Sequence, residues 1–150
     1  MVALTRIVLS AFAAMCLAAC ASSGVPPALG QDAAAWSQLR QQVGHFNGGE
    51  WRADVDQWQG KKHQLMNRLL AYSWGQRLNP SQLLAVWGEP DRRITAQQPE
   101  YADLLRMTEW QGQPAGVLWI YDWRGQHDQL IFALDETGDL RAAGWMMVWE

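Results

Sequence analysis

Apolar and polar positions along the chain fall into three patterns. Residues 7–19 form an apolar run of thirteen residues broken only by Ser10, and one positive charge, Arg6, precedes it. From Asp32 onward the apolar positions take helical spacing. Trp36, Leu39, Val43 and Phe46 lie three or four residues apart, which gathers them on one helix face. Asp32 suits the N-cap of that helix, and Gly44 with Asn47-Gly48-Gly49 ends it. Trp51, Val55, Trp58, Leu65, Leu69 and Tyr72 continue at helical steps, with a break predicted at Gln59-Gly60. Asn79-Pro80 joins a cap residue to a first-turn proline and starts a further helix, which Gly88 stops.

Beyond Gly88 the period changes. Residues 92–95 predict a short strand and residues 101–107 a short helix. Residues 117–123, 129–134 and 140–149 are rich in β-branched and aromatic side chains and are separated by turns about ten residues apart. The pattern predicts an α+β fold: N-terminal helices packed on a C-terminal antiparallel β-meander of three to four strands. Val117, Trp119, Tyr121 and Trp123 share one face of the first long strand, and Leu118 and Ile120 share the other. With both faces apolar, the helices cover one and another element must shield part of the second.

The leading apolar run is too short for a membrane-spanning helix, which needs about 20 apolar residues, and suits the core of a secretory signal. It ends in Leu17-Ala18-Ala19-Cys20, which resembles the bacterial lipobox: a branched apolar residue, two small residues, then cysteine. The resemblance implies that residues 1–19 are a signal peptide and that the Cys20 thiol carries a diacylglycerol thioether. Residues 20–30 would then be a lipidated cysteine and flexible tether, and residues 31–150 a single periplasmic domain. Cys16 follows the bulky Met15 and is disfavoured as the acylated residue. Ala21, where an aspartate would signal retention in the inner membrane, implies a lipid anchor in the outer membrane of a Gram-negative cell, facing the periplasm. Cleavage removes Cys16, so no cysteine pair remains for a disulfide and the domain must rely on packing.

Twelve basic residues stand against fifteen acidic ones, so no cationic surplus exists to neutralise phosphates and no nucleic-acid partner is expected. No catalytic, metal or cofactor site is expected either. His45, His63 and His127 lie on different elements without the spacing of a helical metal site. Asp54 and Asp56 diverge on a helix, and Arg52 with Asp56 reads as a solvated ion pair. Lys61, Lys62 and Arg68 read as the polar side of a helix or a small basic patch. Met146 and Met147 suit packing.

The chain holds ten tryptophans, none in the leader. Trp36, Trp51, Trp58, Trp87 and Trp119 fall at positions a core would claim. Trp123, Trp145 and Trp149 lie near a turn or the chain end and are the candidate partner-binding residues.

Gly88-Glu89-Pro90-Asp91 after a capped helix, the pair Trp119 and Tyr121 on a strand, Leu130-Ile131-Phe132, and Gly138 followed by Leu140 together resemble the SmpA/OmlA family of small outer-membrane lipoproteins. The type member is an accessory subunit of the β-barrel assembly machine. The resemblance covers about half of the mature chain and implies the fold type, the anchoring and a role in outer-membrane assembly or maintenance. Two functional expectations follow. One is a lipid-anchored, non-catalytic protein-interaction module with an envelope protein partner. The other is a lipoprotein that binds glycan, such as peptidoglycan, and tethers the outer membrane to the cell wall.

Overall fold

The computed structural model describes residues 26–148, so the lipobox Leu17-Ala18-Ala19-Cys20 and Trp149 lie outside the described residues. The first helix, α1 (Pro27–Arg40), begins before the expected start at Asp32, because Pro27 supplies the φ angle of a first helical turn and Leu29 has a core to enter. The segment read as tether is therefore helical from Pro27 onward. The helix also stops early. Val43 is exposed, and Phe46 sits on a short 3-10 turn, His45–Asn47.

The long helical run that follows is divided more sharply than its spacing suggests. A single turn, α2 (Ala53–Asp56), is separated from α3 (Lys61–Gly75) by Gln59 at φ 56° and by Gly60. A side chain at Gly60 would sit 2.5 Å from the Ala53 carbonyl oxygen and 2.8 Å from that of Gln57, so only glycine lets the chain fold back there. Next comes α4 (Pro80–Trp87), whose Asn79 and Gln82 form a reciprocal capping box.

Five antiparallel strands make the C-terminal sheet: β1 (Arg92–Ile94), β2 (Thr108–Gly112), β3 (Val117–Arg124), β4 (Asp128–Leu134) and β5 (Leu140–Met147), in the order β1-β3-β4-β5-β2. The α+β arrangement is the expected one, with β2 as an added strand. Its sequence, Thr-Glu-Trp-Gln-Gly, carries no clear strand pattern; pairing along β5 makes it one. Gly144 on β5 permits that pairing, since a side chain there would land on the Glu109 carbonyl oxygen.

The sheet is buried on both faces. Helices α1, α3 and α4 cover Trp119, Tyr121, Trp123, Leu130 and Phe132. The short helix α5 (Tyr101–Met107) covers Leu118, Ile120, Ile131 and Ala133 through Leu104, and so supplies the expected shield of the second face. In the first core Trp36 meets Trp87 edge to face, with ring centres 5.5 Å apart. The Trp36 indole donates to the Trp87 carbonyl (3.0 Å), and the Trp87 indole donates to the Ser73 hydroxyl (2.9 Å).

Four sequence expectations are corrected. Trp51 and Trp58 are 56% and 46% exposed, because the helix that would have turned them inward is broken between α1 and α3. Trp123 is fully buried, because it alternates with Trp119 and Tyr121 on the helix-covered face and its indole donates to the Val55 carbonyl (2.8 Å). Lys62 belongs to no surface patch; it is 2% exposed beneath α1. Asp56 does not pair with the Arg52 guanidinium. It is buried and accepts the backbone N–H groups of Arg52 (2.8 Å) and His45 (3.1 Å), while the guanidinium reaches Asp54.

Candidate functional site

The α2–α3 break and the sheet edge together shape an aromatic groove. Between Asp122 and Arg124 the β3–β4 ladder slips register, which leaves Trp123 out of the pairing. Its carbonyl instead accepts the Lys62 Nζ at 2.6 Å. The ring of His63, one residue on, stacks on Trp123 with centres 4.3 Å apart and planes 20° apart. Trp58 tilts against both His63 (4.5 Å) and Trp123 (5.9 Å), and Trp145 of β5 meets His63 edgewise at 5.3 Å. Trp123 and Trp145 touch at 6.0 Å. These four rings form one block, buried at Trp123 and open to solvent at Trp58.

Against this block runs a groove of about 480 Å³. Trp145 and Met147 of β5 make its floor. Gln64, Asn67 and Arg68 of α3 form one wall, and Glu109 of β2, the cross-strand neighbour of Trp145, forms the other. Arg68 is held by Asp32 through two bonds of 2.7 and 2.8 Å, which lower the Asp32 carboxyl below its ordinary pKa. Within the wall His63, Asn67 and Trp145 are linked. The Gln59 N–H faces His63 Nδ1 at 3.2 Å, Asn67 Nδ2 faces His63 Nε2 at 3.0 Å, and the Trp145 indole donates to Asn67 Oδ1 at 3.0 Å. Burial, with the Arg124 guanidinium nearby, holds the His63 imidazole below its usual pKa, which favours the neutral ring.

A larger cleft of about 780 Å³ lies between α1 and α4, walled by Ala33, Ala34, Ser37 and Ala85. Its cation, Arg40, is already committed to Asp91 (2.6 Å) and to the Trp87 carbonyl (3.1 Å). The cleft is larger than the groove, but its Arg40 is already paired, whereas the groove sets an exposed tryptophan beside side-chain amides.

Of the predicted partner-binding residues, the structure puts Trp145 in the groove and Trp123 directly behind it. The Nδ1 of His127 sits 3.0 Å from the fully buried Asp128, which also accepts Arg124 Nε and the Val148 backbone N–H. That cluster ties the end of β5 to the β3–β4 hairpin. Among the described residues no group of three His, Cys, Asp or Glu side chains is placed to hold a metal, and no helix is long and apolar enough to cross a membrane.

The chain matches no protein-family model, no curated protein and no solved structure.

Sequence reasoning missed Trp58, His63, Asn67 and Glu109. A signal for two of them was present: His63 and Asn67 are four residues apart on one helix, which puts them on one face. Glu109 carried none, because the strand that positions it was not visible in the pattern.

Proposed function

We propose that the chain is a lipid-anchored, non-catalytic binding module of the bacterial envelope, held to the outer membrane through Cys20 and serving its assembly or maintenance. Its binding face is the groove between α3 and the β5–β2 edge. The observation that carries this reading is the groove itself: an exposed Trp58 ring continuous with a rigid, buried aromatic block and flanked by amide side chains. Tryptophan in such a position supplies large contact area at little entropy cost. Of the partner-binding residues expected from the sequence, Trp145 lines this face.

Two measurements test the reading. Labelled palmitate is incorporated into the wild-type chain and lost in Cys20→Ser; labelling that persists refutes the anchor. Purified full-length protein binds isolated envelopes, and Trp58→Ala weakens that binding about tenfold while Trp51→Ala leaves it unchanged. Equal loss in both variants refutes the groove as the binding face.

A further inference from the structure

We propose that the groove takes a neutral saccharide, with a sugar ring lying on Trp58 and one of its oxygen atoms accepting a hydrogen bond from the Asn67–His63–Trp145 wall. This inference rests on the binding-module reading above and names its ligand class.

The first argument is a proton count. With His63 neutral, one ring nitrogen carries hydrogen and the other does not. If Nδ1 accepts from the Gln59 N–H, then Nε2–H points at the Asn67 amide nitrogen, donor against donor. Reversing the amide cures that contact but sets Asn67 Nδ2 against the Trp145 indole N–H. Moving the ring proton to Nδ1 restores the Asn67 contact and opposes the Gln59 N–H. Protonating the ring adds a further N–H. Every arrangement sets two donors against each other at one of the three contacts. His63, Asn67 and Trp145 all line the groove, so an oxygen entering it meets one of those donors.

The second argument is charge. An acceptor oxygen is wanted, yet the wall carries the Glu109 carboxylate, and the Arg68 guanidinium opposite is tied to Asp32. A phosphate or carboxylate would face an uncompensated anion, whereas a hydroxyl or acetamido oxygen would not. The third is shape and surface. The groove volume lies in the range of small-ligand sites. A sugar ring presents a C–H face suited to an exposed indole and an equatorial rim of hydroxyls suited to side-chain amides and a carboxylate, here Gln59, Gln64 and Glu109.

The deciding variant is Asn67→Asp. An aspartate has the shape of asparagine but presents two acceptors, so one oxygen keeps the Trp145 indole and the other takes the His63 Nε2–H. The opposed donors are thereby satisfied from within. The unliganded protein becomes more resistant to heat while its sugar affinity falls about tenfold. A merely structural Asn67 would lose or keep both together, and that result overturns the proposal.

The binding experiment uses the full-length chain in detergent, followed by tryptophan emission and calorimetry. Chitotetraose and purified sacculi represent cell-wall glycan; maltotetraose, a neutral glucan, represents the alternative source of the same chemistry. Saturable binding of either, weakened about tenfold in Trp58→Ala and retained in Trp51→Ala, supports the proposal and identifies the source. Absence of binding by all three at millimolar sugar overturns it. If envelopes still bind in a Trp58-dependent manner when no glycan does, the saccharide assignment falls and the module reading stands. If envelope binding is absent as well, both fall.

Discussion

Lys62 offers the most direct test of the packing described above. Its ammonium is buried beneath α1, with one hydrogen bond to the Trp123 carbonyl and the Trp36 ring 5.7 Å away. Burial lowers its pKa from 10.5 to about 8, even though Asp91, Asp122 and Asp56 oppose the shift. A gap of that size corresponds to about 3 kcal/mol of destabilisation at neutral pH, where both folded and unfolded chains carry the charge. Above pH 8 the folded chain sheds the proton while the unfolded chain keeps it up to about 10.5. The unfolded state then binds more protons, so stability rises with pH. Between pH 7 and about 9.5 the gain is about 2 kcal/mol, equivalent to a midpoint shift of roughly 5–10 °C. The window stops there because burial also raises the Tyr121 phenol. Above pH 10 the unfolded tyrosine ionises first, and the stability its burial supplied is lost. Urea unfolding across this range, in wild type and Lys62→Met, isolates the effect. Wild type gains stability and the variant stays flat. Parallel curves would refute the assignment of a desolvated lysine.

Three other outcomes follow from particular contacts. Ser73→Ala removes the acceptor of the buried Trp87 indole and costs about 1–3 kcal/mol in denaturant unfolding. Gly144→Val forces β2 off β5, so amide exchange accelerates at residues 108–112 while the β3–β4 ladder stays protected. Because the His63 pKa is lowered in the folded state, the unfolded chain takes up a proton first as pH falls through about 6.5. Stability therefore drops over that step in wild type, and the step is absent in His63→Gln.

Periodicity carried the fold class but not the element limits. The strands at β3, β4 and β5 and the capped α4 declared themselves because local propensity and tertiary demand agree there. The errors cluster where the chain satisfies distant demands. Trp51 and Trp58 sit at helical steps, yet Trp51 precedes the single turn Ala53–Asp56 and Trp58 follows it, so neither lies on a helix. Trp123 lies beside a turn, a position that suggests exposure, but its indole N–H donates to the Val55 carbonyl and its own carbonyl accepts from Lys62, which draws it inward. Lys62 followed Lys61 and looked like half of a charged pair; only the register slip at Trp123 creates the carbonyl that receives it. The groove inherits these features, since its ring block and its wall come from α3, β2 and β5 at once.

The tryptophans tie distant segments together in the way disulfides do in other small domains. Residues 26–148 contain no cysteine, so distant segments need other ties. Trp36 joins α1 to the end of α4, Trp87 joins α4 to α3, Trp123 joins β3 to α2, and Trp145 joins β5 to α3, each through an indole N–H as well as a ring. Each such bond contributes only about 1 kcal/mol net, so the rings' buried area does most of the work and the N–H sets the register. Trp145 departs from this pattern. Its N–H secures β5 to Asn67 of α3 within a wall where two donors oppose each other in every proton arrangement. Trp58 departs too, because much of its ring is left open to solvent beside that same wall. A ring spent on stability alone would be covered, and a wall built for stability alone would balance its donors. Both exceptions fall in one groove, which is why that groove, rather than the larger cleft between α1 and α4, is where a ligand is expected.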